Sequence, residues 1–464
     1  MESKLPVAIV GAGPIGLAAA AHLISAGETP LIFEAGSSPG HNILAWGHVR
    51  LFSPWKYNID RAAAALLEAA GWVAPNGDEH PTGQALVENY LQPLAALPQL
   101  RPHIRYNTRV VAITRQHRDK MKTAGREDAP FKIVVQTDGR EEVLLARAVI
   151  DASGTFATPN PLGADGLPAL GEAACADRIF YGIPDILGAD RARYAGRRVL
   201  VVGAGHSALH AVIDLVRLAA EEPATRVIWA VRRGNVQRLF GGGDRDQLPL
   251  RGRLGQEAQR LVDGGAVELV TGFNLERLVR TSAGMIAASD EIELPPVDEI
   301  IAATGFRPDL SLERELRLAL DPITESPVAL APLIDPNIHS CGTVPPHGVE
   351  ELQHPERNFF IAGMKSYGRA PTFLLLTGYE QVRSIVAALI GDWESARSVE
   401  LQLPETGVCS SRPQQAEAGG GCCGAGLSQP AQAASCGSSS QPAYATGEVV
   451  PLVELAPTTT CCGQ

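Results

Sequence analysis

The sequence predicts an α/β protein with two strand–turn–helix nucleotide units, the second inserted into the first domain, and a tail of different composition. Three observations carry this expectation. Gly11, Gly13 and Gly16 follow the apolar run VAIV (7–10), and Gly203-x-Gly205-x-x-Ala208 follows a second such run, RRVLVV. Two further apolar runs, in 148–154 and 297–309, close on small residues, Ser153-Gly154 and Ala303-Thr304-Gly305, that suit a backbone passing close to a ligand. From Ser410 to Thr446, Gly, Ser, Ala, Gln and Pro dominate, a composition predicting disorder.

The first unit is complete as a motif. Gly11 permits a tight turn, Gly13 lets a pyrophosphate approach the backbone, and Gly16 lets the helix pack on the strand. Pro14 and Ile15 open that helix, whose N-terminus offers free N–H groups and a positive dipole end. PLIFE closes the unit at Glu34, eighteen residues after Gly16, with Ala35 beyond it. Glu34 is placed to accept hydrogen bonds from a ribose, so a dinucleotide site is expected rather than an ordinary glycine turn.

The stretch GSSPGHNILAWGHVRLFSPWKYNID (36–60) has no clear period and reads as a loop beside the first nucleotide. Trp46, Arg50, Ser53, Trp55, Lys56 and Tyr57 either line that space or merely pack. Helices are expected over 61–70 and 81–97, with Thr82 as N-cap, and strands from 108 onward. Arg115, Arg118, Lys120, Lys122 and Arg126 belong to a charged excursion that reads better as a solvated hairpin than as an anion site. AVIDASG ends with Ser153 and Gly154, and a Pro/Gly-rich crossover follows.

The second unit begins at Arg197. Its helix carries His206 and Ser207, and its next strand runs into Arg232 and Arg233 where an acid normally marks an unphosphorylated ribose. Paired guanidiniums suit a 2′-phosphate, which favours NADPH over NADH. VDEIIAATGFRPD (297–309), with Thr304 near its end, is expected to return the chain to the first domain. Residues 358–391 then read as strand, glycine turn at Gly363 and long apolar helix, with Pro371 and Thr372 near the helix start. The expected domains are 1–163, 164–300, 301–400 and a disordered tail, 401–464.

Composition bounds the function. The chain has 464 residues, enough for two or three domains, and ordinary hydrophobic and charged contents of 45% and 20%. A net charge of −11 argues against nucleic acid as the main partner. No apolar run is long enough to span a membrane, and MESKLP is not a secretory start, so cytoplasmic residence is expected.

Two nucleotide units, a strand ending in ATG and a C-terminal strand–Gly–helix together resemble the two-dinucleotide-binding flavoproteins, and more closely the NADPH-dependent flavin-containing monooxygenases. The resemblance covers residues 5 to about 395. AWGHVRLFSPWKYN (45–58) and YGIPDILGADRARYAGRRVLVVGAGHSA (181–208) resemble, more narrowly, flavin monooxygenases of bacterial arsenic-resistance operons. The fold this implies has two Rossmann-like domains, an FAD domain with an inserted NADPH domain. The resemblance implies FAD on Gly11, Gly13, Gly16 and Glu34, Val110 near the adenine, and Gly363 near the flavin. It implies NADPH on Gly203, Gly205, Ser207, Arg232 and Arg233. The loop candidates 46–57 would then face the flavin. Two departures stand out: Ile186 replaces the histidine of the F-x-G-x-x-x-H fingerprint begun by Phe180 and Gly182, and Gly363-Met364 replaces the usual Gly-Asp.

Disulfide reductases share this fold but need a redox cysteine pair at the flavin. Cys175 and Cys341 are isolated. The other six cysteines fall in the tail, where Cys422-Cys423 and Cys461-Cys462 are adjacent pairs before glycine. Soft thiolates choose Cu(I), Hg(II) or trivalent arsenic, and the pattern resembles the C-terminal pair of mercuric reductase. A linker of about 50 residues reaches roughly 40 Å. The expectation is a monooxygenase using FAD, NADPH and O₂ to oxidise a soft nucleophile, notably a trivalent arsenical, through a flavin C4a-hydroperoxide. The alternatives are a flavin-dependent metal-ion or metalloid reductase with a thiol delivery tail, a sulfur or nitrogen monooxygenase, and a metalloid-binding protein without turnover.

Overall fold

The structure, a computed structural model, describes residues 4–235, 239–246, 248–338, 344–370 and 373–401. The chain begins as β1 (Val7–Val10), every residue of it buried, then α1 (Pro14–Ser25) and β2 (Pro30–Phe33). Alanines 18–21 let α1 lie close to its neighbours on several sides. Helix α2 (Arg61–Ala69) is capped by Asp60, whose carboxylate accepts the Ala63 N–H. The segment expected as one helix over 81–97 is broken: Gly83–Leu86 and Gln92–Ala96 are α-helical, with a wider turn at Val87–Leu91 between them. Thr82 caps it as expected, accepting the Ala85 N–H at 3.1 Å.

After β3 (Ile104–Arg105), three antiparallel strands, β4 (Thr108–Arg115), β5 (Phe131–Thr137) and β6 (Arg140–Ala146), form a separate sheet. From Phe131 to Val135, β5 alternates buried and half-buried residues, as a strand with one face on a core should. β7 (Ala148–Asp151) then rejoins the first sheet. The second unit contains β8 (Ile179–Tyr181), β9 (Arg198–Val202), α3 (His206–Glu221), β10 (Arg226–Val231), α4 (Pro249–Asp263) and β11 (Glu268–Thr271). A hairpin of β12 (Arg277–Thr281) and β13 (Gly284–Ala288) precedes β14 (Glu299–Ala302). β15 (Phe359–Ile361) and α5 (Leu375–Leu389) complete the first unit.

The first sheet has the order β15-β7-β1-β2-β3 and the second β11-β10-β9-β14-β8, with all neighbours parallel. In each, the strand before the glycine turn is flanked by strands reached through opposite crossovers. That is the switch point at which open α/β sheets take ligands, outside the carboxyl ends of their strands.

Two expectations need correction. The 297–309 segment does not return directly to the first domain, because β14 pairs with β8 and β9 and so belongs to the second sheet. Leu162 also packs in the second unit's core. The return lies beyond Ala302, where residues 304–307 run beside the outgoing crossing, 158–160. There Asn160 N–H donates to Gly305 O at 2.9 Å and Arg307 N–H to Thr158 O at 3.0 Å. The charged excursion is not simply solvated. Arg115 and Arg126 are buried on Glu356, at 2.8 and 2.7 Å, and Arg115 lies 3.7 Å from the centre of the Phe131 ring. Their side chains tie β4 and the excursion to the segment before β15.

Candidate functional site

The first switch point is built by close backbone approach. Gly11 has φ +98°, and a Cβ there would stand 2.8 Å from Ala152 O, in the turn after β7. A Cβ on Gly16 would fall on Gly11 O. Gly13, the N-cap of α1, has no atom within 4 Å of the Cβ position. Two glycines are therefore demanded by the protein's own packing, while the third leaves a cradle that a phosphate group fits. Glu34, half-buried at the end of β2, accepts Ala12 N–H at 2.8 Å and Gly36 N–H at 2.7 Å. Ala35 is exposed. Pro14 opens the helix, whereas the Ile15 side chain is buried beneath Gly363 and Gly378 and acts in packing.

Around this turn, Ser153 N–H donates to Asp151 Oδ1 at 2.9 Å, and Gly154 is open on its Cβ side. Val110 is buried against Val10 and Phe33 at a β-bulge. Gly363, at φ +71°, donates its N–H to Gln381 Oε1 at 2.8 Å. The Gln381 amide then donates to Ser366 Oγ and to His347 Nε2. That orientation leaves His347 Nε2 as the acceptor and its Nδ1–H directed at Pro345 O. Burial lowers the pKa of His347, in keeping with a neutral ring.

Lys365 sits two residues after Gly363. Its Nζ donates to Asp151 Oδ2 at 2.6 Å and to Glu313 Oε1 at 2.7 Å, and all three side chains are wholly buried. Burial raises Glu313 to about 9, with the Asp151 charge adding to it. Burial also opposes Asp151 and Lys365 ionising, but their mutual attraction prevails and drives the carboxyl down and the ammonium up. The group is then one ammonium, one carboxylate and one neutral acid.

The second switch point repeats the first. A Cβ on Gly203 would collide with Ala303 O, while Gly205, N-cap of α3, is open. Ser207 is half-buried, and Arg232 and Arg233 are exposed at the end of β10. Arg232 Nη1 donates to Ala164 O at 2.6 Å. Thr304 bridges the two crossings, donating its hydroxyl to Asn160 O at 2.7 Å. Its side chain thus serves the junction.

The loop after β2 reaches the second unit through Phe52. Its ring centre lies 5.1 Å from that of His206, the first residue of α3, and 5.8 Å from that of His210. Burial lowers both histidines to about 4, so both are neutral at physiological pH. Trp46 is half-buried against Gly83, Ser53 donates to Asn58, and Tyr57 is half-buried. Arg50 pairs with the 80–82 segment. Two flavin-lining candidates are corrected. Trp55, 3% exposed, belongs to the core with Leu67 and Tyr90, and Lys56 pairs outward with Asp78 at 2.8 Å. Ile186 is a core residue of the second unit.

Cys175 is fully buried. Pro371, Thr372, Cys341, Cys422, Cys423, Cys461 and Cys462 lie outside the described residues. Among the described residues no group of His, Cys, Asp or Glu side chains could hold a metal, and no helix is long and apolar enough to cross a membrane. Sequence reasoning passed over Phe52, Asp151, Glu313, Lys365 and Gln381. An acid ending the otherwise apolar strand AVID was the available signal for Asp151.

The family model described as pyridine nucleotide-disulphide oxidoreductase matches residues 8–328. A ferredoxin–NADP reductase of Salinispora tropica is 27% identical over 321 residues, covering 68% of this chain and 79% of that protein. Flavin-containing monooxygenase 3 of Pan troglodytes is 25% identical over 219 residues, 46% of this chain and 38% of that one. Among solved structures, the bacillithiol disulfide reductase of Bacillus cereus superposes with a TM-score of 0.60 at 19% identity, over 84% of this chain and 99% of the other.

Proposed function

We propose that this chain, which belongs to the pyridine nucleotide-disulphide oxidoreductase family, works as a monooxygenase that oxidises a soft nucleophile, a trivalent arsenical first among them. It is an enzyme, a flavin-dependent oxidoreductase, and its cofactors are FAD and NADPH. The observation that carries the reading is the Phe52–His206 contact at 5.1 Å, by which the loop beside the first glycine turn touches the helix that opens the second. The loop expected beside FAD and the helix expected beside NADPH thus meet at one junction.

When bound, FAD reduced by NADPH supplies the activation of O₂; one oxygen atom goes to the substrate and the other to water. The protein supplies the rest. Gly13 and the first turn of α1 would receive the FAD pyrophosphate, and Glu34 would accept its ribose hydroxyls. Gly205 and the first turn of α3 would do the same for NADPH, with Arg232 and Arg233 on its 2′-phosphate. Arg232 would release Ala164 O to do so. Phe52, His206 and His210 present apolar and uncharged surface at the junction, which suits a neutral As(III) hydroxide better than a charged metabolite.

The arsenic reading is supported by residues 45–58 and 181–208 and by the two Cys-Cys-Gly pairs of the tail. The two body cysteines, Cys175 and Cys341, form no C-x-x-C or C-x₄-C pair, which speaks against a flavin-to-dithiol cycle. The ferredoxin–NADP reductase relative, matched over most of its length, favours a second reading: electrons passed to an outside acceptor without oxygen. NADPH oxidation by FAD-loaded protein separates them, measured with and without air and with and without methylarsenite. Stimulation by the arsenical that vanishes anaerobically supports monooxygenation of arsenic. Stimulation that survives without oxygen supports a reductase, and none from any trivalent arsenical removes arsenic in favour of sulfur or nitrogen substrates.

A further inference from the structure

We propose that Lys365 is a positioning residue that fixes both interdomain crossings to the flavin-side turn, and so sets where NADPH meets FAD. The inference rests on the cofactor reading above but on no particular substrate. Its basis is a set of connections through one buried ammonium. Lys365 belongs to the Gly363–Tyr367 turn that follows β15. Its first partner, Asp151, ends β7 and stands seven residues before the outgoing crossing at 158–160. Asp151 Oδ1 also accepts Ser153 N–H, holding the turn whose Ala152 carbonyl lies against Gly11. The second partner, Glu313, follows the returning crossing, which is paired to the outgoing one through Thr304, Asn160 and Arg307. Lys365 therefore joins the exit of one crossing, the landing of the other and the turn expected beneath the flavin.

Stability alone does not call for such a group. Well-packed apolar residues of similar volume commonly replace buried ion pairs without loss, whereas directed hydrogen bonds select one arrangement. Hydride transfer between two bound cofactors is sensitive to that arrangement, since a misplacement of about 1 Å costs on the order of a hundredfold in rate.

The test is the pair Asp151→Asn with Lys365→Met, which strands no buried charge, beside Glu313→Gln, which keeps the shape of a neutral acid. Hydrogen exchange at the Asn160 and Arg307 amides is read on FAD-free protein. The rate of anaerobic flavin reduction at saturating NADPH, and the long-wavelength charge-transfer absorbance with NADP⁺, are read on FAD-loaded protein. The double variant should keep FAD and unfold cooperatively, yet exchange these amides about tenfold faster, reduce flavin at least about tenfold more slowly with little change in KM for NADPH, and lose the charge-transfer band. Glu313→Gln should match the parent in all of these. A folded double variant with parental exchange and reduction overturns the proposal. Should that variant fail to fold, Glu313→Ala detaches only the returning crossing; faster exchange at Arg307 upholds the proposal, and parental exchange there overturns it. Since anaerobic reduction by NADPH needs neither O₂ nor an arsenical, failure of the monooxygenase reading leaves this test intact.

Discussion

Glu34 reaches back across the exit of β1 to accept the Ala12 N–H at 2.8 Å, while its other oxygen accepts Gly36 N–H. The acid thus holds the glycine turn and the following loop together with a spare lone pair on each oxygen. Glutamine at 34 would turn an NH₂ toward one of these N–H groups and remove the charge. Glu34→Gln should weaken FAD binding about 10- to 100-fold, the scale of one or two charge-assisted hydrogen bonds. Flavin fluorescence titration reads this directly, and NADPH affinity should be unchanged.

Gly13 and Gly16 separate ligand demand from packing demand. A Cβ on Gly13 meets nothing within 4 Å, whereas one on Gly16 falls on Gly11 O. Gly13→Ala should leave the melting temperature of FAD-free protein within a degree or two and still lose FAD affinity. Gly16→Ala should lower both, because the helix can no longer lie on the strand. Equal melting of the two variants would show that the third glycine is not a packing requirement.

This difference also shows what the sequence could reveal. The two glycine units, their strands and helices, and Glu34 were legible because close backbone approach and positive φ leave glycine as the residue of choice. The Phe52 contact was not, since it depends on how an aperiodic loop meets a helix 150 residues later. Asp151, Glu313 and Lys365 are scattered over more than 200 positions, and each alone reads as an ordinary charge. Trp55 stayed open between core and cleft because a loop aromatic carries no periodicity that tells one from the other. β14 was misassigned because a buried parallel strand has the same apolar signature in either sheet.

Arg232 and Arg233 end β10, both exposed, with Arg232 resting on Ala164 O. If they receive the 2′-phosphate, replacing both by alanine should raise KM for NADPH at least about tenfold and leave KM for NADH almost unchanged, since only one nucleotide carries the extra charge. A parallel rise for both would point to general disruption of the second turn. Raising the salt concentration should weaken NADPH binding in the parent more than in the double variant, because the guanidiniums are exposed.

Glu313 is held at about 9 by burial and by the neighbouring Asp151 charge, against an ordinary value of 4.5. Between these values the folded protein binds a proton that the unfolded chain has released. Its contribution is whole below 4.5 and is lost as pH rises toward 9, by at most about 1.4 kcal/mol per pH unit. Its partners act outside that window. Asp151, lowered, adds stability above its ordinary 3.8 that is lost only in acid, and Lys365, raised above 10.5, loses its contribution only in strong base. Glutamine at 313 cannot ionise. The urea midpoint of Glu313→Gln should therefore fall less steeply than the parent's from pH 5 to 9, and the two curves should diverge in the variant's favour as pH rises. Parallel curves would mean that Glu313 is already ionised in the native state, with Lys365 shared between two carboxylates.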